Sequence, residues 1–161
     1  MGYTHYFKQN KPVSDQQWTA FGKDAKVVLE HIQNKLGIVL VSNDSNVAII
    51  DSERVNLNGD DTCDLDHETF YLAKDYREFN FCKTARKPYD LAVCSLLLLA
   101  HEHMPVHHDI GSDGDFAEWQ DAMELNAKIF GYAYKLPTGI DSSDEVQEFE
   151  NELANRNSEK V

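Results

Sequence analysis

Cysteine is scarce in this chain: Cys63, Cys82 and Cys94 are an odd number with no CxxC spacing. That argues against a disulfide framework and for reduced, intracellular thiols, with Cys94 as plain core. Basic residues are also few, 15 against 28 acids, for a net charge of −13. Such a charge repels nucleic-acid phosphates and acidic membrane surfaces unless positive charge is locally concentrated, so neither duplex nucleic acid nor a membrane is an expected partner. A signal peptide, a long apolar run, internal repeats and an HExxH motif are all missing from the pattern. The 161 residues fit one α+β domain with a single core over 1–140 and an acidic tail over 141–161.

What the chain does contain is one stretch around which the rest can be organised, FCKTARKPYDLAVCSLLLLAHEH from Phe81 to His103. Pro88 suits a first helical position, where its missing N–H costs nothing, with Lys87 in the N-cap region. From Leu91 to Ala100 only Ser95 is polar, and a helix with no polar face is buried. This segment is too short to span a bilayer. Before it, Phe79 to Thr84 alternates Phe79 and Phe81 with Asn80 and Cys82, the period of a half-buried strand. Lys83, Arg86 and Lys87 therefore fall at a strand-to-helix turn, where unpaired amides favour anions, phosphate above all. The competing reading is that these cations are solvated or paired with acids, and Asp90 already offsets part of the dipole.

Elsewhere the pattern is conventional. Tyr3 to Lys8 alternates as a strand with aromatics on both faces. Ser14 with Gln17 forms a capping box, and Trp18, Phe21, Ala25, Val28, Leu29, Ile32 and Leu36 follow helical spacing up to Gly37. Short strands are expected at 38–41, 47–50, around Val55 and Leu57, and at 69–72, with turns between them and Asn58-Gly59 as a tight turn. Gly111 to Gly114 reads as another turn, after which Ser112 or Asp113 can cap a helix carrying Phe116, Trp119, Met123, Ala127 and Phe130. In the tail, Val146, Phe149 and Leu153 form a stripe that could dock on the body or on a second copy, making a homo-oligomer.

Two clusters invite a metal. Asp60, Asp61, Asp64, Asp66 and Glu68 offer carboxylates, but their register lacks the glycine and glutamate of a calcium loop. A solvated loop, or pairing with the basic turn, is the alternative. His101, His103, His107 and His108 offer imidazoles, yet His101 and His103 point to different sides of a helix and Pro105 should break it before His107. No metal and no other cofactor is expected from either.

Taken together, GYTHYF, the NG and HETF pair between 58 and 70, and FCKTARKPYD resemble a family of small uncharacterised bacteriophage proteins over roughly residues 2 to 93. The resemblance implies a phage origin and expression in the host cytoplasm, with no established chemistry. The residues themselves predict an antiparallel sheet of about five or six strands covered by three helices, the helix at 88–103 central. If the first strand runs beside the one before Pro88, the two locally basic segments converge. Tyr3, His5, Tyr6, Lys83, Thr84, Arg86, Lys87 and Tyr89 then form a cationic, aromatic site for a small phosphorylated, nucleotide-derived ligand. Tyr3, Tyr6 or Tyr89 would stack a base and Arg86 would hold phosphate. By analogy, a phage could use such a protein to sequester a host defence signal. Two alternatives are a metal-dependent phosphoester hydrolase and an acidic inhibitor of a host nucleic-acid-binding protein. Cys82 as a nucleophile, activated by Lys83 and His5, is weaker still.

Overall fold

A computed structural model describes residues 2–141; the expected tail helix lies outside them. The chain is α+β, in the order β1 (Thr4–Gln9), α1 (Asp15–Leu36), β2 (Ile49–Ile50), β3 (Arg54–Leu57), a 3-10 turn (Asp61–Cys63), β4 (Phe70–Ala73), β5 (Phe79–Lys83), α2 (Asp90–His103), β6 (His108–Asp115), α3 (Phe116–Phe130) and β7 (Gly139–Asp141). The strands divide between two sheets, β5-β1-β6-β7 and β2-β3-β4. β1 is antiparallel to both neighbours, whereas β7 runs parallel to β6.

Helix α2 is the centre. Every residue from Ala92 to Ala100 is buried, with α1 and α3 on its flanks and β6 beneath. Its apolar surface on all sides is what lets it be shared among three neighbours. Phe7 of β1 meets Phe70 of β4 edge to face at 5.3 Å, which joins the two sheets through one core. Ser14 caps α1 through the Gln17 amide at 3.1 Å, and Gly37 ends it in the left-handed conformation, φ 68°, as glycine alone does without strain.

Several boundaries differ from the sequence expectation. α2 starts at Asp90, not Pro88, because the chain enters through tight turns, Lys87 N–H to Thr84 O, Asp90 N–H to Lys87 O and Leu91 N–H to Pro88 O. The stretch at 38–41 makes only a single bridge, Val41 to Asn58, and the strand expected at 47–50 shortens to two residues. Gly111 to Gly114 is not a turn but part of β6, paired residue by residue with β1 from His5–Ser112 to Gln9–His108. Tertiary pairing there overrides a turn-like composition. Gly114 is required for closeness: a Cβ on it would lie 2.1 Å from the Tyr3 hydroxyl. In consequence α3 is capped by Asp115, whose carboxylate accepts from the Glu118 amide at 3.3 Å, rather than by Ser112 or Asp113. Among the described residues no helix is long and apolar enough to cross a membrane.

Candidate functional site

β1 and β5 pair antiparallel, Thr4 opposite Lys83, so the two basic segments do converge. The junction is tied at the Tyr3 carbonyl, which accepts from the Thr84 amide at 3.0 Å and the Ala85 amide at 3.4 Å. Ala85 and Arg86 then take left-handed conformations, φ 52° and 57°, which cost a residue with a Cβ about 1–2 kcal/mol each. The reward is the placement of Arg86. Its guanidinium lies 4.2 Å over the Tyr3 ring and donates to both Glu118 oxygens, at 2.8 and 3.3 Å.

Beside this pair opens a cleft of about 260 Å³, between the 86–91 segment and the first turns of α3, lined by Tyr3, Arg86, Lys87, Asp90, Cys94 and Asp121, among others. Asp90, one of its lining residues, belongs to a hydrogen-bonded chain. His5 reaches Ser112 Oγ from Nδ1 at 2.7 Å and Asp90 Oδ1 from Nε2 at 2.6 Å. Thr84 Oγ1 donates to the same Asp90 oxygen at 2.5 Å. Ser112 Oγ already accepts from Trp119 Nε1 at 3.1 Å and the Gly114 amide at 2.9 Å. With both lone pairs taken, its own proton goes to His5 Nδ1, which leaves His5 with N–H at Nε2, donating to Asp90. The chain thus fixes a carboxylate in the lining of the cleft.

Cys94 completes the group. Its sulfur lies 3.4 Å from His5 Nε2 and 3.6 Å from Asp90 Oδ2, and His5, Asp90 and Cys94 are the one set of three metal-ligating side chains that converges among the described residues. The donor types suit zinc. Coordination through Nε2, however, needs that nitrogen bare and the proton moved to Nδ1, where Ser112 Oγ has no lone pair left to receive it. Burial also raises the Cys94 thiol well above its usual range, with Asp90 adding to the effect. The arrangement fits a satisfied polar network better than an ion.

The predicted site residues are sorted by the alternation of the strand. Tyr3 and His5 are buried on the inner face, as are Tyr89 and Thr84 at the turn. Tyr89 donates its hydroxyl to Glu68 O at 2.5 Å. Tyr3 and Tyr89 are therefore not open to stack a base, which corrects the expectation; their burial pushes both phenols up. Tyr6 and Lys83 lie on the outer face, where Tyr6 stacks on Phe79 at 6.0 Å and donates to Asp113 at 2.9 Å. Arg86 is paired with Glu118 while its side chain stays 60 % exposed, and Lys87 donates to the Asp64 carbonyl at 2.8 Å. Cys82 is no nucleophile: burial pushes its thiol up to about 12, against any lowering by Lys83 and His5.

The two sequence clusters do not assemble donors. Asp60 is occupied in capping the 3-10 turn through Thr62, at 3.0 Å to N and 2.6 Å to Oγ1, and Glu68 accepts from the Lys83 amide at 2.8 Å. The acidic loop thus pairs with the basic turn, clamped by Asn58, which bonds the His67 amide and carbonyl and Thr69. His103 pairs with Asp24 at 2.8 Å. What the sequence did not single out is Glu118 and Asp121; Ser112 was read only as a helix cap, Trp119 only as core, and Asp90 only as a dipole charge. Comparison with protein-family models, curated proteins and solved structures finds no match.

Proposed function

We propose that the cleft binds a small phosphorylated, nucleotide-derived ligand without chemical turnover, and that the protein serves a phage in the host cytoplasm by sequestering a defence signal of that class. The observation that carries the reading is Arg86: a guanidinium held by a strained turn, a ring and a carboxylate at the mouth of a cleft that also holds Lys87. Phosphate oxygens would meet Arg86 and Lys87, the former shared with Glu118. Asp90 and Asp121 would accept from hydroxyl or amino groups on the rest of the ligand. Because 260 Å³ falls just below the range of about 300–1,000 Å³ usual for ligand pockets, the occupant is one nucleotide unit or less at a time.

Calorimetric titration with inorganic phosphate, nucleoside monophosphates and cyclic nucleotides tests this. Arg86→Ala should weaken the best binder about ten- to a hundredfold, the loss of a charge-assisted pair, while Arg86→Lys recovers part of it. Thermal melts of the same proteins should stay close together, since the Arg86–Glu118 pair is solvent-exposed. Wild-type affinity in Arg86→Ala would remove the reading.

A further inference from the structure

The outer face of the four-stranded sheet leaves aromatic rings open. Along β5, Phe79 is 57 % and Phe81 45 % exposed. Their rings lie 6.0 Å apart, and Phe79 also stacks on Tyr6 of β1 at 6.0 Å. The alternate residues of β1, His5 and Phe7, are buried on the side of the core, so these three rings form a ridge on the side away from it. An apolar patch left open on a protein surface marks an interaction site, and aromatic rings are what the centres of protein interfaces favour.

The register around the ridge says what fits it. Tyr6 pairs with Phe81 on one side and Gly111 on the other, and Gly111 pairs in turn with Gly139 of β7. One half of this row is therefore aromatic and the other half is bare backbone. Gly139 has no alternative, since a Cβ on it would lie 2.2 Å from the Ile110 carbonyl oxygen. In the next row Lys8 stands opposite Asp109, yet neither forms an ion pair or a side-chain hydrogen bond among the described residues. At the other end of the ridge are Lys83, opposite Thr4, and Asp113, which accepts from the Tyr6 hydroxyl. The lysines thus lie on β1 and β5 and the aspartates on β6, and their charges cancel in a chain whose net charge is −13. A second copy of so acidic a chain meets least repulsion at this face, whereas a nucleic acid would meet as many acids there as bases.

We propose that this face is the contact of a two-fold homodimer whose axis runs along the strands, between β1 and β6. Such an axis lays β1 of one copy on β6 of the other, and β5 on β7, while keeping each residue in its own row. Tyr6 then covers Gly111 of the second copy, Phe81 covers Gly139, and Lys8 meets Asp109. Every contact is made twice, as an isologous interface requires. Sheets packed face to face lie about 10 Å apart and cross at about 30°, a gap that a ring opposite a glycine fills. The pairs nearest the axis, Tyr6 with Gly111 and Lys8 with Asp109, keep their register under that twist.

Sedimentation velocity on the full-length protein across the micromolar range tests this, with circular dichroism to show that each variant is folded. Wild type should be a dimer that dissociates on dilution. Lys8→Asp should weaken it about a hundredfold, because acids then face acids across the axis, and Asp109→Lys should do the same with bases. Either variant also sets like charges side by side within one copy, so the decisive sample is their equal mixture. In a mixed dimer both pairs across the axis are again of opposite sign, and association should return to near the wild-type strength. Phe81→Ser, at an exposed position that the fold tolerates, should weaken the dimer about tenfold. A monomeric wild type overturns the proposal. So does a dimer that tolerates Lys8→Asp, which would move the contact to the 142–161 segment, or a mixture no more associated than its two variants apart.

Discussion

Mild acid should destabilise this fold through His108. Burial, and secondarily the neighbouring His107, push its imidazole down from 6.5 to about 4, with Asp109 opposing; His101 and Glu78 border the cavities it lines. The unfolded chain takes up a proton near 6.5 while the folded chain resists until about 4, so the unfolded state holds more protons throughout that window. Stability is therefore complete above the upper value and falls as pH drops through the window. A difference of 2.5 units (6.5 minus 4) is worth about 3 kcal/mol in all, of which about 2 kcal/mol is lost by pH 5. Urea unfolding of wild type and His108→Phe between pH 5 and 7.5 measures it. Asp15, Asp51 and Asp60, whose carboxyls are lowered by hydrogen bonds, act mainly below that window and equally in both proteins. Wild type should lose about 2 kcal/mol more than the variant on going to pH 5. Parallel profiles would show that His108 is protonated in the fold as easily as outside it, and the reasoning from burial would fail.

Three further outcomes follow from the packing. Leu97→Ala, at a position 1 % exposed in the central helix, should cost about 2–5 kcal/mol in urea unfolding, whereas a cost within the surface range of about 0.5 kcal/mol would deny α2 its central place. Ala85→Gly should raise stability by about 0.5–1 kcal/mol, because relief of a left-handed alanine exceeds the entropy that glycine adds to the unfolded chain; a loss would mean that the turn is not strained. Dialysis against a chelator should leave the melting temperature unchanged, and one zinc per chain, retained through dialysis and needed for stability, would make His5, Asp90 and Cys94 a metal centre.

The sequence spoke clearly where one segment's own chemistry decides its structure. A helix without a polar face had to be α2, and Ser14 with Gln17 had to open α1. Alternation in β1 announced two faces but not which was inner, and that choice buried Tyr3 while leaving Tyr6 outside. β6 was illegible because HDIGSDGD is turn composition; only the β1 backbone alongside makes it a strand. The cleft shares that limit. Glu118 is one acid among 28, and its partner Arg86 lies 32 residues away. Ser112 meets His5 across 107 residues, a separation that no local pattern encodes.

Charge inside the cleft narrows what can occupy it. Arg86 and Lys87 face Asp90, Glu118 and Asp121, so a bare phosphate meets more acid than base, and like charges at short range weaken its hold. A ligand that ends in phosphate and carries hydroxyl or amino groups along its length meets both signs in turn, each acid taking a donor instead of repelling an oxygen. On the proposed reading, selection against free phosphate would rest on the same carboxylate that orients Arg86. Neutralising that carboxylate with Glu118→Gln should tighten inorganic phosphate and loosen the turn together, since one side chain sets both.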